Sequence, residues 1–127
     1  MRGSRRAWLT VIVWLGFIEL LTSLPAPALP TIDTPIRIDW VAHFGLYGVL
    51  GALLARVAVI ERWPRRRIVL AAVMMSLFGV LDELHQLFIP TRDAEVGDWI
   101  MDTLGSSLGI WLLTRLAGTR WGAWLIS

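Results

Sequence analysis

Residues 82–105 read DELHQLFIPTRDAEVGDWIMDTLG, and the fold of the chain follows from how this stretch is interpreted. It holds six carboxylates, one histidine and one arginine within 24 residues. The chain on both sides of it is almost entirely apolar. A charged side chain in lipid is costly unless it faces the interior of a helix bundle or a wet cavity. The stretch therefore indicates a polar site inside an otherwise apolar protein.

The apolar residues, which make up 56% of the 127-residue chain, fall into four long blocks. Each block has about 18–22 residues, the length that a helix needs to cross roughly 30 Å of hydrocarbon. A soluble bundle is disfavoured because four such blocks leave too few polar residues to coat a surface. The sequence therefore predicts one domain over residues 1–127, an all-α integral membrane four-helix bundle. The predicted helices are about 7–24, 39–60, 68–89 and 98–118.

The distribution of arginine predicts the orientation of these helices. All twelve basic residues are arginines, and most lie at residues 2–6, 62–67 and 115–120. The first and third loops hold one each, Arg37 and Arg92. Since cytoplasmic loops carry an excess of basic residues, both termini and the second loop are expected in the cytoplasm. We therefore expect a multi-pass protein of the cell membrane whose first and third loops lie outside.

The N-terminus allows a second interpretation, a cleaved signal peptide. Two arginines, Arg5 and Arg6, precede an apolar stretch, and Ala26-Pro27-Ala28 resembles a cleavage site. However, the stretch is longer than the roughly 7–15 residues of a signal core, and Glu19 interrupts it. We therefore expect a retained first helix, with cleavage as the alternative. The proline-rich segment that follows is expected to be an extended external loop.

Polar residues collect at one depth on the predicted helices. At about 1.5 Å per residue from the outer ends, they lie in the outer third of the membrane. Within each helix they recur three or four residues apart and therefore share a face. Glu19 lies at a similar depth on the first helix, and His85 lies at the margin of the acidic face. We therefore expect an outward-facing polar pocket lined by Asp39, His43, Tyr47, Asp82, Glu83, Gln86, Arg92, Asp98 and Asp102.

Glycines lie on or near the same helix faces. Gly105 and Gly109 continue the face of Asp98 and Asp102 at a small-xxx-small spacing that lets a neighbouring helix approach closely. Further close-packing points are expected on the second and third helices, at Gly45, Gly48, Gly51 and Gly79. The glycine faces also permit a homodimer.

Three functions remain open for the predicted pocket. A hydrogen-bond network that sets helix register is the simplest, but it needs no carboxylates. A pocket for an envelope lipid head group or glycan-lipid, with Arg92 on a phosphate, is favoured. The alternative is an enzyme on a lipid-linked substrate, with Asp82 or Glu83 as acid/base, His43 as its partner and Arg92 as electrostatic stabiliser. No nucleophile motif such as G-x-S-x-G is present.

The composition bears on cofactors and partners. The chain has no cysteine, which excludes disulfides and thiolate metal sites. His43 and the carboxylates are the right ligand types for a hard cation, yet their spacing matches no dedicated metal motif, so no metal site is predicted. The cofactor stays unknown. The arginines lie at helix ends rather than on one basic face, which argues against nucleic acid. Membrane lipid is the expected partner.

Three segments carry polar residues at a fixed spacing: DWVAH at 39–43, DELHQLFIPTR at 82–92 and DWIMDTLG at 98–105. Together they resemble the VanZ-like family, over roughly residues 36–113. In that family an Asp and a His early in one helix precede Asp-Glu-x-x-Gln-x-Phe-x-Pro-x-Arg. An Asp follows, and then an Asn before a Gly. The match is specific because it combines many polar or special residues.

The sequence departs from the family pattern at two positions. Trp40 stands where a lysine is usual, and Asp102 stands where an asparagine is usual. The second change keeps an acceptor but adds a potential charge, so a role that needs an amide donor is in doubt. The family is named for a protein associated with resistance to the glycopeptide teicoplanin. The resemblance therefore implies a cell-envelope function, with a cell-wall lipid precursor or a glycopeptide as a further partner.

Overall fold

The computed structural model describes residues 2–25, 37–120 and 122–123. Four helices account for most of them: α1 Arg2–Ser23, α2 Ile38–Ile60, α3 Arg65–Gln86 and α4 Val96–Leu116. No strand occurs among the described residues. The prediction of an all-α bundle is confirmed. Most of the proline-rich loop and the cleavage-like motif at residues 26–28 lie outside the described residues.

The third helix shows why the observed ends differ from the predicted ones. It begins at Arg65, directly after Pro64, because arginine forms helix readily and need not be apolar to do so. It ends at Gln86 instead of Ile89. Pro90 disfavours the helical conformation in the residue before it, and the chain turns through Thr91 at a φ of 67°. The last charged residues of α3 therefore sit close to its end.

The two helices that pack most closely, α2 and α4, run parallel to each other. A Cβ added at Gly105 would collide with the backbone of Phe44, and one added at Gly109 would collide with the backbone of Gly48. Farther along, a Cβ at Gly51 would collide with the backbone of Ser106. These helices touch backbone to backbone, as small residues allow in membranes. Gly51, Gly105 and Gly109 thus serve contacts within one chain, whereas the prediction is wrong for Gly45, where nothing lies within 4 Å of an added Cβ.

The helices α1 and α3 complete the bundle against this pair. The Trp14 indole of α1 donates a hydrogen bond to the carbonyl of Leu46 at 2.8 Å. On the other side, the Trp99 indole of α4 donates to the carbonyl of Ser76 at 3.1 Å. The hydroxyl groups of Ser76 and Thr103 lie 2.9 Å apart. Polar links therefore join the helices where lipid offers no partners.

Three helices, α1 to α3, are long and apolar enough to cross a membrane, with mean hydropathies of 1.4, 1.7 and 1.7. The fourth helix has 21 residues, but it is not among the described helices that meet this criterion. Its polar residues Asp98, Asp102 and Ser106 are buried inside the bundle. Its outer face is mainly apolar, with Leu104 and Leu108 exposed beside Ser107. The carboxyl groups of α4 therefore face the protein and not the lipid.

The alternating helices give the bundle two chemically distinct ends. The acidic end comprises the last turns of α1 and α3 and the first turns of α2 and α4. The arginine end comprises the start of α1, the connection between α2 and α3, and the end of α4. Most arginines belong to the arginine end, and the candidate site belongs to the acidic end.

Candidate functional site: a buried histidine and carboxylate cluster

Seven of the nine predicted pocket residues meet in the interior at the acidic end. Each is at most 7% exposed. They come from three helices, with two on α2, three on α3 and two on α4. We call this group the His43 cluster; its members are His43, Tyr47, Asp82, Glu83, Gln86, Asp98 and Asp102.

His43 lies between two aspartates of α4. Its Nδ1 is 2.8 Å from Oδ1 of Asp102, and its Nε2 is 3.5 Å from Oδ2 of Asp98. The parallel contact of α2 and α4 produces this arrangement. Gly48 of α2 and Gly105 of α4 lie deeper in the bundle and let the two backbones come together. Asp98 and Asp102 are four residues apart and therefore present both carboxyl groups on the face toward α2.

The third helix supplies the remaining carboxylates. The Tyr47 hydroxyl donates to Oδ2 of Asp82 at 3.2 Å. The Gln86 amide approaches Oε1 of Glu83 at 3.4 Å, and the backbone N–H of Glu95 donates to Oε2 of Glu83 at 2.9 Å. The connection between α3 and α4 thus fixes the orientation of Glu83.

Several buried carboxylate oxygens lack a hydrogen-bond partner among the described residues. They are Oδ1 of Asp82, Oδ1 of Asp98 and Oδ2 of Asp102. Buried polar atoms are nearly always hydrogen-bonded, since an unpaired one costs about 1–3 kcal/mol, and more if charged. The cluster contains four carboxyl groups and one imidazole, so its own side chains do not balance its charge. Such an arrangement is suited to binding a cation, an amine or several hydroxyl groups.

Asp39 lies outside the His43 cluster, in an ion-pair group at the surface. Arg37 pairs with Asp39 and also donates to both carboxylate oxygens of Glu95, at 2.5 and 3.0 Å. The hydrogen bonds from Arg37 to Glu95, and next to Asp39, raise the pKa of the Arg37 guanidinium above its usual range. The sequence did not single out Arg37 or Glu95 as site residues. Their opposite charges, in the two loops at the acidic end, were the sequence feature that could have predicted this ion pair.

Arg92 also lies apart from the His43 cluster. Its Nε donates to the carbonyl of Leu24 at 2.6 Å, and its Nη2 donates to the carbonyl of Leu21 at 3.0 Å. Cations are favourable at the C-terminal end of a helix, where carbonyls lack partners. The contacts of Arg92 therefore secure the end of α1 against the loop between α3 and α4.

His85 and Glu19 form a separate, half-exposed pair. The Nδ1 of His85 is 3.7 Å from Oε2 of Glu19, and both side chains are about 40% exposed. This pair joins α1 to α3 beside Asp82. His85 was expected at the margin of the acidic face, and its partial exposure agrees with that position.

A cavity of about 200 Å³ lies between α3, the following loop and α4. Exposed apolar side chains form much of its wall, so it opens toward the side of the bundle. Of the nine predicted pocket residues, Glu83 alone lines it. The lining residues are Val80, Glu83, Leu84, Ala94, Glu95, Val96 and Trp99. The structure thus pairs a packed polar cluster with a mainly apolar cavity, where the sequence predicted one polar pocket open outward.

The VanZ/LLP1 family model matches residues 7–117. The chain belongs to the VanZ/LLP1 family. The match begins within α1 and ends directly after α4, so it covers the bundle except for the first residues of α1, 2–6. No curated protein and no solved structure matches the chain. Family membership and the three apolar helices together make this VanZ/LLP1 chain a membrane protein.

The two departures from the family pattern have clear positions in this VanZ/LLP1 protein. The Trp40 ring covers Gly97, where an added Cβ would lie 2.8 Å from the indole, and the Arg37 guanidinium lies 5.5 Å from the ring centre. Asp102 faces Nδ1 of His43. Because an asparagine oxygen accepts the same hydrogen bond, the aspartate adds charge without changing this contact.

Proposed function

We propose that this VanZ/LLP1 protein binds the head group of an envelope lipid or glycan-lipid at its acidic end, on the extracytoplasmic side. The observation that carries the proposal is the position of Glu83. Its carboxylate belongs to the His43 cluster, and the residue also lines the lateral cavity. A lipid in the cavity would place its polar group against Glu83 while its chain remained among apolar side chains.

The walls of the cavity indicate the chemistry of this ligand. Val80, Leu84 and Val96 offer apolar contact to a hydrocarbon chain. The polar side chains at the cavity are Glu83 and Glu95, which in ionised form only accept hydrogen bonds. These acceptors favour the hydroxyl groups of a sugar or an amine over a bare phosphate. A phosphate contact by Arg92 is less favoured than the sequence suggested, since two of its nitrogens serve α1 carbonyls.

The distribution of arginine supports an extracytoplasmic location for the acidic end. The first turns of α1 and the segment from Arg62 to Arg67 lie at the opposite end of the bundle. By the positive-inside rule, that end faces the cytoplasm. The His43 cluster then lies at the depth of the outer leaflet. Lipid-linked cell-wall precursors and lipid-tailed glycopeptides present their polar groups there.

An enzyme acting on a lipid-linked substrate is the second candidate. The contacts of His43 favour it, because an imidazole held by one carboxylate and facing another is the usual arrangement of an acid/base pair. Glu83 is the cluster residue at the cavity and would be the acid/base in contact with substrate. Asp82 is bound to Tyr47 instead and does not line the cavity.

Native mass spectrometry of the purified protein with isotope-labelled lipid-linked precursors tests both candidates. We expect stoichiometric retention of an unaltered precursor by the wild type, and at least about tenfold weaker retention by Glu83→Gln, since the lost charge–hydroxyl contact contributes about 1.5–3 kcal/mol. Glu61→Gln, at the arginine end, is the control and should retain the lipid. Product formed over several turnovers would favour the enzyme. Equal retention by all three proteins would contradict the proposal.

A glycopeptide phenotype is the corresponding expectation in cells. If expression of the chain lowers teicoplanin susceptibility, Asp82→Asn, Glu83→Gln and Arg92→Ala should each abolish that effect while the protein remains inserted. Inserted variants with full effect would contradict a role for the acidic end.

A further inference from the structure

The strongest additional feature is a set of ligand-type atoms inside the His43 cluster. One ligand atom each from His43, Glu83 and Asp102 lies within 4.8 Å of the others, and all three residues are buried. Neighbouring ligands of an ion with bonds of about 2.1 Å lie about 3.0–3.4 Å apart. Nδ1 of His43 and Oδ1 of Asp102, 2.8 Å apart, are close to that spacing, and Glu83 would approach them to share one ion.

The contact between His43 and Asp98 supplies a second observation. Nε2 of His43 lies 3.5 Å from Oδ2 of Asp98, a carboxylate that in ionised form only accepts hydrogen bonds. When Nε2 carries the ring hydrogen toward Asp98, Nδ1 presents its lone pair to Oδ1 of Asp102, 2.8 Å away. This spacing fits two groups that share a cation in place of a proton.

The two aspartates at His43 also have unpartnered oxygens. Asp98 is 5% exposed and Asp102 is not exposed, and each directs its other carboxylate oxygen at His43. Oδ1 of Asp98 and Oδ2 of Asp102 have no hydrogen-bond partner among the described residues. A metal-bound imidazole that donates its other N–H to a carboxylate is also the common arrangement around protein metals.

We propose that His43, Glu83 and Asp102 bind one divalent transition-metal cation, of the Mn²⁺ or Zn²⁺ class, and that Asp98 holds the imidazole from its other side. One imidazole with several carboxylates suits these ions better than Ca²⁺ or Mg²⁺, which prefer oxygen alone. The cation would offset the excess negative charge of the cluster. It would also bind a hydroxyl or phosphate oxygen of a lipid head group brought by the cavity.

The other two acidic groups at this end do not support a comparable site. Asp39 and Glu95 are already paired with Arg37. Glu19 and His85 are both about 40% exposed. The inference builds on the proposed function because it assigns a cation to the same cluster. Metal binding is nevertheless measured without lipid, so either proposal can fail alone.

Equilibrium dialysis with Mn²⁺ tests the proposal on the full chain in detergent, after treatment with EDTA. We expect about one Mn²⁺ per chain in wild type, displaced by Zn²⁺. Electron spin-echo spectroscopy should show coupling of the bound Mn²⁺ to an imidazole nitrogen. This readout needs no variant and is therefore independent of any folding defect.

Matched histidine variants assign the signal to the site. His43→Gln should remove the nitrogen coupling and weaken Mn²⁺ binding at least about tenfold, and Asp102→Asn should weaken binding similarly. His85→Gln, at the same end, should change neither. Absence of Mn²⁺ and Zn²⁺ binding in folded wild type would overturn the proposal. A nitrogen signal that survives His43→Gln would overturn it as well.

Discussion

At the scale of single residues, carboxylates at the two ends of the bundle have opposite surroundings. At the arginine end, Oε1 of Glu61 accepts hydrogen bonds from Ser4 at 2.5 Å and from Trp8 at 2.8 Å. Its Oε2 accepts another from Trp63 at 2.8 Å. At the acidic end, by contrast, carboxylate oxygens of Asp98 and Asp102 have no donor among the described residues. Glu61 thus fastens α1 to the loop after α2, whereas the His43 cluster retains binding capacity.

The contacts of Glu61 predict a pH dependence. The hydrogen bonds from Ser4, Trp63 and Trp8 lower the pKa of Glu61 below its ordinary value of 4.5. A lowered folded-state pKa contributes stability above the unfolded pKa, and that stability is lost as the pH falls through the folded value. The unfolding temperature in detergent should therefore decline below about pH 4.5, and Glu61→Gln should reduce that decline. Asp93→Asn is the exposed control; an identical decline in all three proteins would contradict this role.

The residue scale also shows what sequence spacing can foretell. Periodicity places eight polar residues on inward faces; the structure brings seven of them together and leaves Asp39 outside the cluster. It does not reveal the partners of residues in or next to loops, which depend on backbone turns. Asp39 therefore binds Arg37, and Arg92 binds the carbonyls at the end of α1.

At the scale of helices, the parallel contact of α2 and α4 determines where the His43 cluster forms. An added Cβ at Gly51 or Gly109 would overlap backbone atoms of the facing helix, which cannot move aside as a flexible side chain does. Gly45 differs, because nothing lies within 4 Å of an added Cβ there. Gly51 is therefore needed for the close helix contact, whereas Gly45 is not, and sequence alone does not distinguish the two.

Alanine substitutions at these two glycines provide a matched pair on one helix. Gly51→Ala should destabilise the bundle by about 1–3 kcal/mol, because the helices must separate. Gly45→Ala should be neutral or stabilising by up to about 1 kcal/mol, since alanine favours helix over glycine. Thermal unfolding in detergent measures both. If Gly51→Ala were as stable as Gly45→Ala, the close contact of α2 and α4 would be disproved.

At the scale of the whole molecule, the separation of acidic and arginine ends defines the expected topology. The chain contains no cysteine, so single-cysteine variants report cleanly on sidedness. A membrane-impermeant maleimide should label Ala94→Cys in intact cells and Arg65→Cys only after permeabilisation. Both positions are exposed, so accessibility within the protein does not bias the comparison. The reverse labelling would place the His43 cluster on the cytoplasmic side.

The architecture was largely readable from sequence, because membrane helices need about 20 apolar residues and bury their polar faces. The cavity was not readable, since it depends on how Trp99 and the loop before α4 pack against Val80 and Leu84. Nor did spacing reveal that His43 contacts Asp98, because the two residues lie on different helices. Predicting contacts between helices requires knowing how the helices cross. The glycine pattern shows only where two helices could approach closely.

The central claim, that the lateral cavity brings an envelope lipid to Glu83, is tested most directly by site-specific photocrosslinking in cells. A benzoylphenylalanine at Leu84 would sit in the cavity, and one at Leu70 would sit on the same helix toward the arginine end; both positions are exposed. The account predicts that mass spectrometry finds a glycan- or amine-bearing lipid enriched on the Leu84 probe and depleted by Glu83→Gln. The same bulk phospholipids on both probes, unchanged by Glu83→Gln, would contradict it.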